Sequence, residues 1–526
     1  MKKLDLATYR NKVNGCWAGK NIGGVLGAPF EAKRGVNKVD FYVQDLSKGL
    51  PANDDLDLQI VWLAAVERYG RNVNASVLGE YWLSYVIPNW AEYGVGKANL
   101  RAGLVPPMSG ALGNVYKDSN GCWIRSEIWA CLAPGHPDIA ARYAYEDAIV
   151  DHADEGMYGE IFTAALQSAA FVESDKNKLI DIALSYIPAD TYLYRAINMA
   201  IECYKNGVDF YEARKKIHNT APGTFGVQNI PVCKIPKEDN EGMEVGKAGF
   251  DCPENVAFVV AAWLYGEDDF GRSICLANSL GEDTDCTCAT LGATLGIISG
   301  ADRLPEKWTS PLNDKIETVC IDKTSNGIWV PKTVTELTDR VVRDMPMFLG
   351  QDLADILDES GLSVCCNEGD DLYCQKEEDF VPFINYGNAR NELLPVRKLC
   401  SLSSYVVRRD FPAFTMFVDY EGSVAFSKGR RKKIRVTVVN AGSMKEKQWT
   451  KITLFLPEGA AAENGNSVMM PLNTLIGSKA ETEFTINADE FKGTKLEAVV
   501  DVSLEGRHSS GDLKLTLMRN IDNSEE

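Results

Sequence analysis

From the start of the chain to about residue 345, apolar positions recur at steps of three and four. DLQIVWLAAVERY, PDIAARYAYEDAIVDHA and ENVAFVVAAWLYG each carry such a stripe beside Ala-rich faces, which predicts amphipathic helices. Gly and Pro clusters such as LVPPMSGALGN and NTAPGTFGVQNIP punctuate them. From about residue 405 the period drops to two. Ile434, Val436 and Val438 alternate with Arg435 and Thr437, and Ile452, Leu454 and Leu456 alternate with Thr453 and Phe455. ETEFTINA, KLEAVVDVSL and DLKLTLMRN repeat the pattern between turn-rich pieces, as in a β-sandwich. Residues 346–390, acidic and irregular in CCNEGDDLYCQKEEDF, read as a connector. The expectation is multidomain: a helical domain over 1–345, a linker over 346–390, and a small all-β sandwich of immunoglobulin type over 391–526. No internal repeat of fixed period is evident.

The opening helix departs from the ordinary pattern. Gly15, Gly19, Gly23 and Gly27 recur every four residues and share one face. A glycine in a helix interior costs ~1 kcal/mol relative to alanine, so four of them need a reason. Either a second backbone packs very close, or the helix unwinds near Gly23 and Gly24 into a ligand loop. The later run ATLGATLGIISG repeats the device with Gly292, Gly296 and Gly300, which favours two glycine-faced helices packed on each other.

Composition bounds the rest. At 526 residues the chain is too long for one ordinary core. Its 45% hydrophobic and 25% charged content is that of a globular protein. The formal charge of −19 (55 basic against 74 acidic residues) argues against a nucleic-acid partner, which needs a basic surface. The N-terminus, MKKLDLATYRNKVNGCWAGK, lacks the apolar core of a signal peptide, and no 18-residue apolar run exists to span a bilayer. The 14 cysteines follow no framework spacing, so reduced thiols and a cytoplasmic location are expected. Cys365, Cys366 and Cys374 are clustered but fit no zinc pattern. The one strong basic run, Lys428 to Arg435, precedes a strand and reads as a solvated hairpin rather than an anion site.

Candidate chemistry lies in two acidic clusters. GEDTDCTCAT places Glu282, Asp283 and Asp285 ahead of a small, apolar helix, with no Lys or Arg between Arg272 and Arg303. PANDDLDLQIVWL places Asn53, Asp54, Asp55 and Asp57 at the start of another, with none between Lys48 and Arg68. Helix capping accounts for one acid at each N-terminus. It does not account for two adjacent aspartates, and buried carboxylates without a counter-charge are strongly unfavourable. An oxygen-only ligand set suits Mg²⁺, Mn²⁺ or Ca²⁺, and with four His in the chain an imidazole-rich site is nearly excluded. A lysine or arginine salt-bridged to either aspartate pair would remove the need for a metal.

With these pieces located, the chain resembles the ADP-ribosylglycohydrolase family over about residues 10–345. GCWAGKNIGGVLGAPFE is similar to that family's Gly-rich opening helix and closes on Glu31; NDDLDLQ stands for its Ser/Thr-Asp-Asp; GEDTDCTCATLGATLGIISG stands for its Gly-Asp-Thr-Asp-Thr run. NGCWIRSEIWA and DAIVDHADEG resemble its substrate-loop region and its His-containing helix. The resemblance implies an all-α orthogonal helical bundle around two Mg²⁺ ions, with Asp54, Asp55, Asp283 and Asp285 as ligands. Asn53 stands where the family has a hydroxyl ligand, and Cys286 where it has a ligating Thr, so that either Thr287 or water takes that position. Gly24 stands where the opening motif often has Asp.

The reaction implied is hydrolysis of the glycosidic bond at the anomeric carbon of ADP-ribose, in an ADP-ribosylated protein or small molecule. Candidates for the general base are Glu31, Asp118 and Glu155. Asp147, Asp151 and Glu155 are expected on one helix face around His152, which is either a general acid or substrate contact, or a surface or capped histidine. Arg125 is either a diphosphate contact or half of an ion pair with Glu127 or another acid. Asn120 and Gly121 are either a pocket-lining turn or only a turn. Two other readings compete: a metal-dependent hydrolase of another ribosyl, nucleoside or glycoside substrate, and a catalytically silent binding or structural relative. All four motif aspartates are present, which speaks against the last. The expected partner is the substrate alone, with no nucleic acid and no membrane, and the β-domain either packs on the helical domain or assembles a homo-oligomer.

Overall fold

The computed structural model describes residues 2–52, 54–223, 238–243, 249–324, 328–350, 353–358, 361–375, 396–440, 446–475 and 477–520. Two compact units emerge, Met1–Ala98 with Ser109–Gln375, and Asn99–Met108 with Lys376–Glu526. The first is helical, as the periodicity predicts, and the second is built of strands.

In the first unit the opening helix, Leu6–Gly27, runs unbroken to its last glycine and does not unwind at Gly23. It lies against the helix Thr284–Ser299. A Cβ added at Gly15, Gly19, Gly23 or Gly27 would come closer than 3.0 Å to the backbone of Gly296, Gly292, Cys288 or Thr284, respectively. Gly292 and Gly296 meet Gly19 and Gly15 in the same way. The glycine stripe is therefore a backbone-to-backbone seam. Gly300 lies outside it: it follows the last helical residue, has φ +81°, and faces Asn11.

The helix Asp54–Tyr69 packs beside the opening helix and buries Leu58, Val61, Trp62 and Ala65. Among the described residues no helix is long and apolar enough to cross a membrane.

Two expectations need correction. Residues 354–358 and 361–366 are strands rather than a connector. Strands β1 (Lys2–Asp5), β2 (Ala354–Asp358) and β3 (Gly361–Cys366) form an antiparallel sheet in the order β1-β3-β2, with Leu4 opposite Val364 and Val364 opposite Ala354. Those three side chains and Cys366 are buried. Alternation over six residues is too brief to stand out among the surrounding acids, and the partner strand is some 350 residues away. Residues 376–390 lie outside the described residues. Nor do Asp147, Asp151 and Glu155 share a helix: one helix, Pro137–Ala148, ends before Asp151, and another, Asp154–Ala169, begins after His152.

The second unit carries β4 (Val406–Asp410), β5 (Phe414–Asp419), β6 (Ala425–Phe426), β7 (Lys432–Asn440), β8 (Gln448–Phe455), β9 (Ala461–Ala462), β10 (Ser467–Leu472), β11 (Lys479–Asn487), β12 (Lys495–Leu504) and β13 (Ser510–Arg519). Two five-stranded sheets result, in the orders β10-β8-β12-β13-β6 and β4-β5-β7-β11-β9. The period of two buries one face of each: Ile434, Val436 and Val438 on β7, and Leu496, Ala498, Val500, Val502 and Leu504 on β12. The basic run is neutralised on the other face by Lys433–Glu483 at 2.8 Å and Arg435–Glu421 at 2.7 Å.

The glycine seam generates a prediction. Gly292→Ala places a methyl group against the Gly19 carbonyl and should destabilise the protein by about 2–3 kcal/mol, as overpacking does. Chemical denaturation measures it. An unchanged midpoint would mean that the two helices are not in backbone contact.

Candidate metal centre

The seam delivers its helix ends to one place. Past Gly27 a single 3₁₀ turn, Ala28–Phe30, hands the chain to Glu31. Thr284 donates its hydroxyl to the Gly27 carbonyl at 2.9 Å, and the Glu282 amide donates to the Lys33 carbonyl at 3.1 Å. Glu282 itself has φ +63°, a left-handed conformation that disfavours a side chain, and its carboxylate is gripped by Arg34. The Asp283 amide donates to Asn255 Oδ1 at 3.2 Å. The acidic loop is thus fixed from three sides before its side chains are considered.

Those side chains converge with the other pair. Ligand atoms of Glu31, Asp283 and Asp285 all lie within 4.8 Å of one another, and so do those of Asp55, Asp285 and Cys286. Asp285 belongs to both groups. Asp54 stands beside them, its carboxylate accepting from the Tyr93 hydroxyl at 3.1 Å, and its pKa is raised by burial and by Asp285. Asn120 Nδ2 donates to Asp283 Oδ2 at 2.7 Å, and Trp123 Nε1 in turn donates to Asn120 Oδ1 at 2.8 Å, which sets the orientation of the amide.

Capping does not explain this arrangement. Asp283 occupies the N-cap position of its helix, but its side chain makes no capping bond. Asp283 Oδ1 and Asp285 Oδ1 are buried with no hydrogen-bond donor. Divalent cations fit such a donor set, since they replace hydration that buried carboxylate oxygens have lost. Asp57 does not join the centre, because its carboxylate accepts the amides of Val319, at 2.6 Å, and Cys320. Asn53 lies outside the described residues.

A lysine does approach, contrary to expectation. Lys20, on the opening helix and only 1% exposed, places Nζ 3.9 Å from Asp55 Oδ1. Its hydrogen bond, however, goes to Glu127 Oε1 at 3.1 Å, and Gln59 and Gln167 also donate to Glu127. One ammonium shared by Asp55 and Glu127 does not offset the charge of Asp54, Asp283, Asp285 and Glu31 as well. Nothing in the sequence separates Lys20 from Arg10 and Lys12 on the same helix. Tyr93 and Asn255, also unanticipated, carry no signal either.

The crowding of like charges appears in the carboxyls. Burial and then Asp285 push Asp54 up to about 6, and burial first of all holds Asp55 and Asp283 well above the usual range. Glu31 is pushed up to about 9, chiefly by the charge of Asp285. Its side chain is exposed at the rim, so the neighbouring charge rather than lost hydration is the dependable cause.

The remaining candidates are placed elsewhere. Glu155 accepts the amides of Tyr192 and Leu193 at 2.8 and 2.9 Å and caps the helix Tyr192–Lys205. Asp118 pairs with Lys117 at 3.3 Å and accepts the Glu155 amide. Neither joins the two ligand groups. Arg125 is fully buried; it pairs with Asp147 at 2.9 Å and Asp151 at 2.7 Å, rather than Glu127, and lies over the rings of Trp82 and Trp62. It is a scaffold cation, committed to its own acids rather than to a diphosphate. His152 is also fully buried, between Ser119 Oγ at 2.9 Å and Asp151 Oδ1 at 3.0 Å, and is not a surface histidine. Gly121 is buried where a Cβ would strike Glu92 and Tyr93. Asn120 supports Asp283 instead of lining an open turn. Thr287 donates its hydroxyl to the Thr284 carbonyl at 3.2 Å, whereas Cys286 Sγ is in the ligand group. Among the described residues no metal-holding group includes Cys365, Cys366 or Cys374.

Two measurements test this layout. Arg125→Ala strands Asp147 and Asp151 and should cost about 3–5 kcal/mol of stability, read by denaturant titration, whereas loss of a mere ligand contact would leave the midpoint in place. The raised carboxyls also couple stability to pH. In the metal-free protein they hold protons that the unfolded chain has released, so the folded state binds more protons and stability falls as pH rises from about 4, through about 6 for Asp54, to about 9 for Glu31. Calorimetry should show that slope without metal and a flatter one with saturating divalent cation; no metal-dependent change in slope would contradict the centre.

No curated protein matches the chain. Among solved structures, an ADP-ribosylglycohydrolase-related protein complex is 17% identical with a TM-score of 0.42, covering 65% of this chain and 99% of that one. A Pseudomonas fluorescens alkylpurine DNA glycosylase, bound to DNA containing an abasic site analog, is 12% identical with a TM-score of 0.11, covering 89% and 99%. At such scores neither likeness carries weight. The model of the ADP-ribosylglycohydrolase family, however, matches residues 5–345, a span that holds Glu31 and both aspartate pairs, and the chain belongs to that family of glycosidic-bond hydrolases.

Proposed function

We propose that this chain hydrolyses the glycosidic bond at the anomeric carbon of ADP-ribose, carried on a protein or a small molecule, with the help of two divalent cations, Mg²⁺ foremost. The observation that carries the reading is the meeting of Asp54, Asp55, Asp283 and Asp285 beside Glu31, with Asp283 Oδ1 and Asp285 Oδ1 buried there without donors. Asp54, Asp55, Asp283 and Asp285 would hold the cations, which supply Lewis acidity toward the ribose hydroxyls and the attacking water. Asn120 and Tyr93 fix the carboxylates of Asp283 and Asp54. Glu31, at the exposed rim, would accept the proton of that water as the bond to the aglycone breaks and positive charge develops on the sugar; the aglycone takes its proton from solvent, to which Glu31 then returns its own.

One observation favours a second reading. Arg125, for which the sequence leaves a diphosphate contact and an ion pair as equal alternatives, is committed to Asp147 and Asp151. A ribosyl or other glycoside without a diphosphate needs no such contact.

The test is product release in Mg²⁺ from Arg-linked, Ser-linked and acetyl-linked ADP-ribose conjugates, alongside simple nucleosides and glycosides. Free ADP-ribose from one of the conjugates is expected, and Glu31→Gln should lower kcat by roughly 10²-fold or more with metal binding retained. Cleavage confined to simple glycosides would replace the first reading by the second.

A further inference from the structure

The two ligand groups differ in chemistry. Glu31, Asp283 and Asp285 offer oxygen alone; Asp55, Asp285 and Cys286 offer oxygen and a sulfur. Two ligands of one ion lie at most about two bond lengths apart, ~4.2–4.6 Å for bonds of ~2.1–2.3 Å. A group whose atoms all fall within 4.8 Å therefore needs little contraction to close on a cation. Cys286 is 6% exposed, Asp285 5% and Asp55 1%, so all three side chains are buried. Asp285 Oδ1 is buried there with no hydrogen-bond donor, an independent sign that something else occupies its lone pairs.

An ordinary buried thiol packs among apolar atoms. Cys288, two residues on, donates to the Ile274 carbonyl at 3.3 Å and stays outside both groups. Cys286 sits instead among carboxylates, and the hydroxyl nearest to it in sequence, that of Thr287, is turned to the Thr284 carbonyl. Mg²⁺ demands oxygen ligands in near-octahedral array and gains little from sulfur. Mn²⁺, Fe²⁺, Co²⁺ and Zn²⁺ accept a thiolate, with Zn²⁺ and Co²⁺ the better matched.

Resting on the two-cation reading above, we propose that the centre is asymmetric: the position between Asp55, Asp285 and Cys286 binds a borderline transition-metal dication through the Cys286 sulfur, and the position at Asp283 and Asp285, beside the base Glu31, binds a hard cation. Asp285 is the ligand common to both. The sulfur binds as thiolate, its proton passing to solvent when the ion enters. Cys286 thus selects the metal.

The experiment loads the full chain with Co²⁺ and records its absorption spectrum. Thiolate ligation gives a sulfur-to-cobalt charge-transfer band in the near ultraviolet. The band should be present in the wild type and in Cys275→Ser, whose thiol lies outside the groups, and lost in both Cys286→Thr and Cys286→Ser. Competition by Mg²⁺ supplies a second readout: the Co²⁺-over-Mg²⁺ preference of the thiol position should drop roughly tenfold or more in Cys286→Thr. Circular dichroism checks that each variant is folded, and the two substitutions guard against the failure of one. Bound Co²⁺ without the band, or a band that survives both Cys286 variants, overturns the asymmetric centre and leaves the two-cation reading standing. A wild type that takes up neither Co²⁺ nor Mg²⁺ overturns both.

Discussion

The seam between the two glycine-faced helices is the constraint from which the centre follows. Helices ordinarily stand about 8–10 Å apart, held off by side chains. Here carbonyls of one helix occupy the space where the Cβ atoms of the other would be, from Gly15 against Gly296 to Gly27 against Thr284. Four successive turns in register leave no freedom to slide or rotate, because any shift drives a side chain into a backbone. The end of the seam is thereby fixed, and the end of the seam is where Glu31 leaves one helix and Asp283 and Asp285 open the other. A site that must hold cations at closely spaced positions needs ligands that do not drift, and a glycine seam provides that at the expense of helix propensity.

Around this fixed point the chain tolerates an unusual density of negative charge. Only part of it is relieved within the protein. Arg34 answers Glu282, and Lys20 is shared between Glu127 and Asp55, but Asp54, Asp283, Asp285 and Glu31 crowd one another. A left-handed Glu282 adds backbone strain at the same loop. Strain and repulsion at one place, offset by close packing elsewhere, suit a cluster that could hold a metal.

How much of this was legible in the sequence depended on the range of the signal. The period of 3.6 and then of two marked the helical and strand regions, and the four-residue glycine spacing announced the seam, because each is a local pattern that tertiary contacts reinforce. The two aspartate pairs were visible as runs of like charge with no basic residue nearby in sequence. What stayed hidden was long-range. Lys20 reaches Asp55 from another helix, β3 finds its partner near the first residue, and Asn255 holds Asp283 from 28 positions upstream. Residue type also misled. Arg125, His152, Glu155 and Asp118 are chemically reactive kinds of residue set between the motifs, and nothing in their spacing separates a ligand from a strut.

The struts nevertheless have a bearing on the chemistry. Arg125 joins Asp147, at the end of one helix, to Asp151 in the turn that follows, while its third interaction is with the Gly121 carbonyl at 2.8 Å. The charge of Arg125 overcomes the burial that would raise Asp151 and holds that carboxylate down at about 2. Burial, and then the charge of Asp147, push the Glu160 carboxyl well up, and burial raises Asp147 beside it against the pull of Arg125. The same hub lies under the Trp62 and Trp82 rings, and hence under the helix that begins with Asp54. By gripping Gly121 it fixes the residue next to Asn120, whose amide is aimed at Asp283. A buried ion network of this kind contributes little net stability but does specify a single arrangement. That arrangement ties the Asp54 helix and the Asn120 turn to one rigid point, so that two aspartate pairs more than two hundred residues apart are presented at the same place.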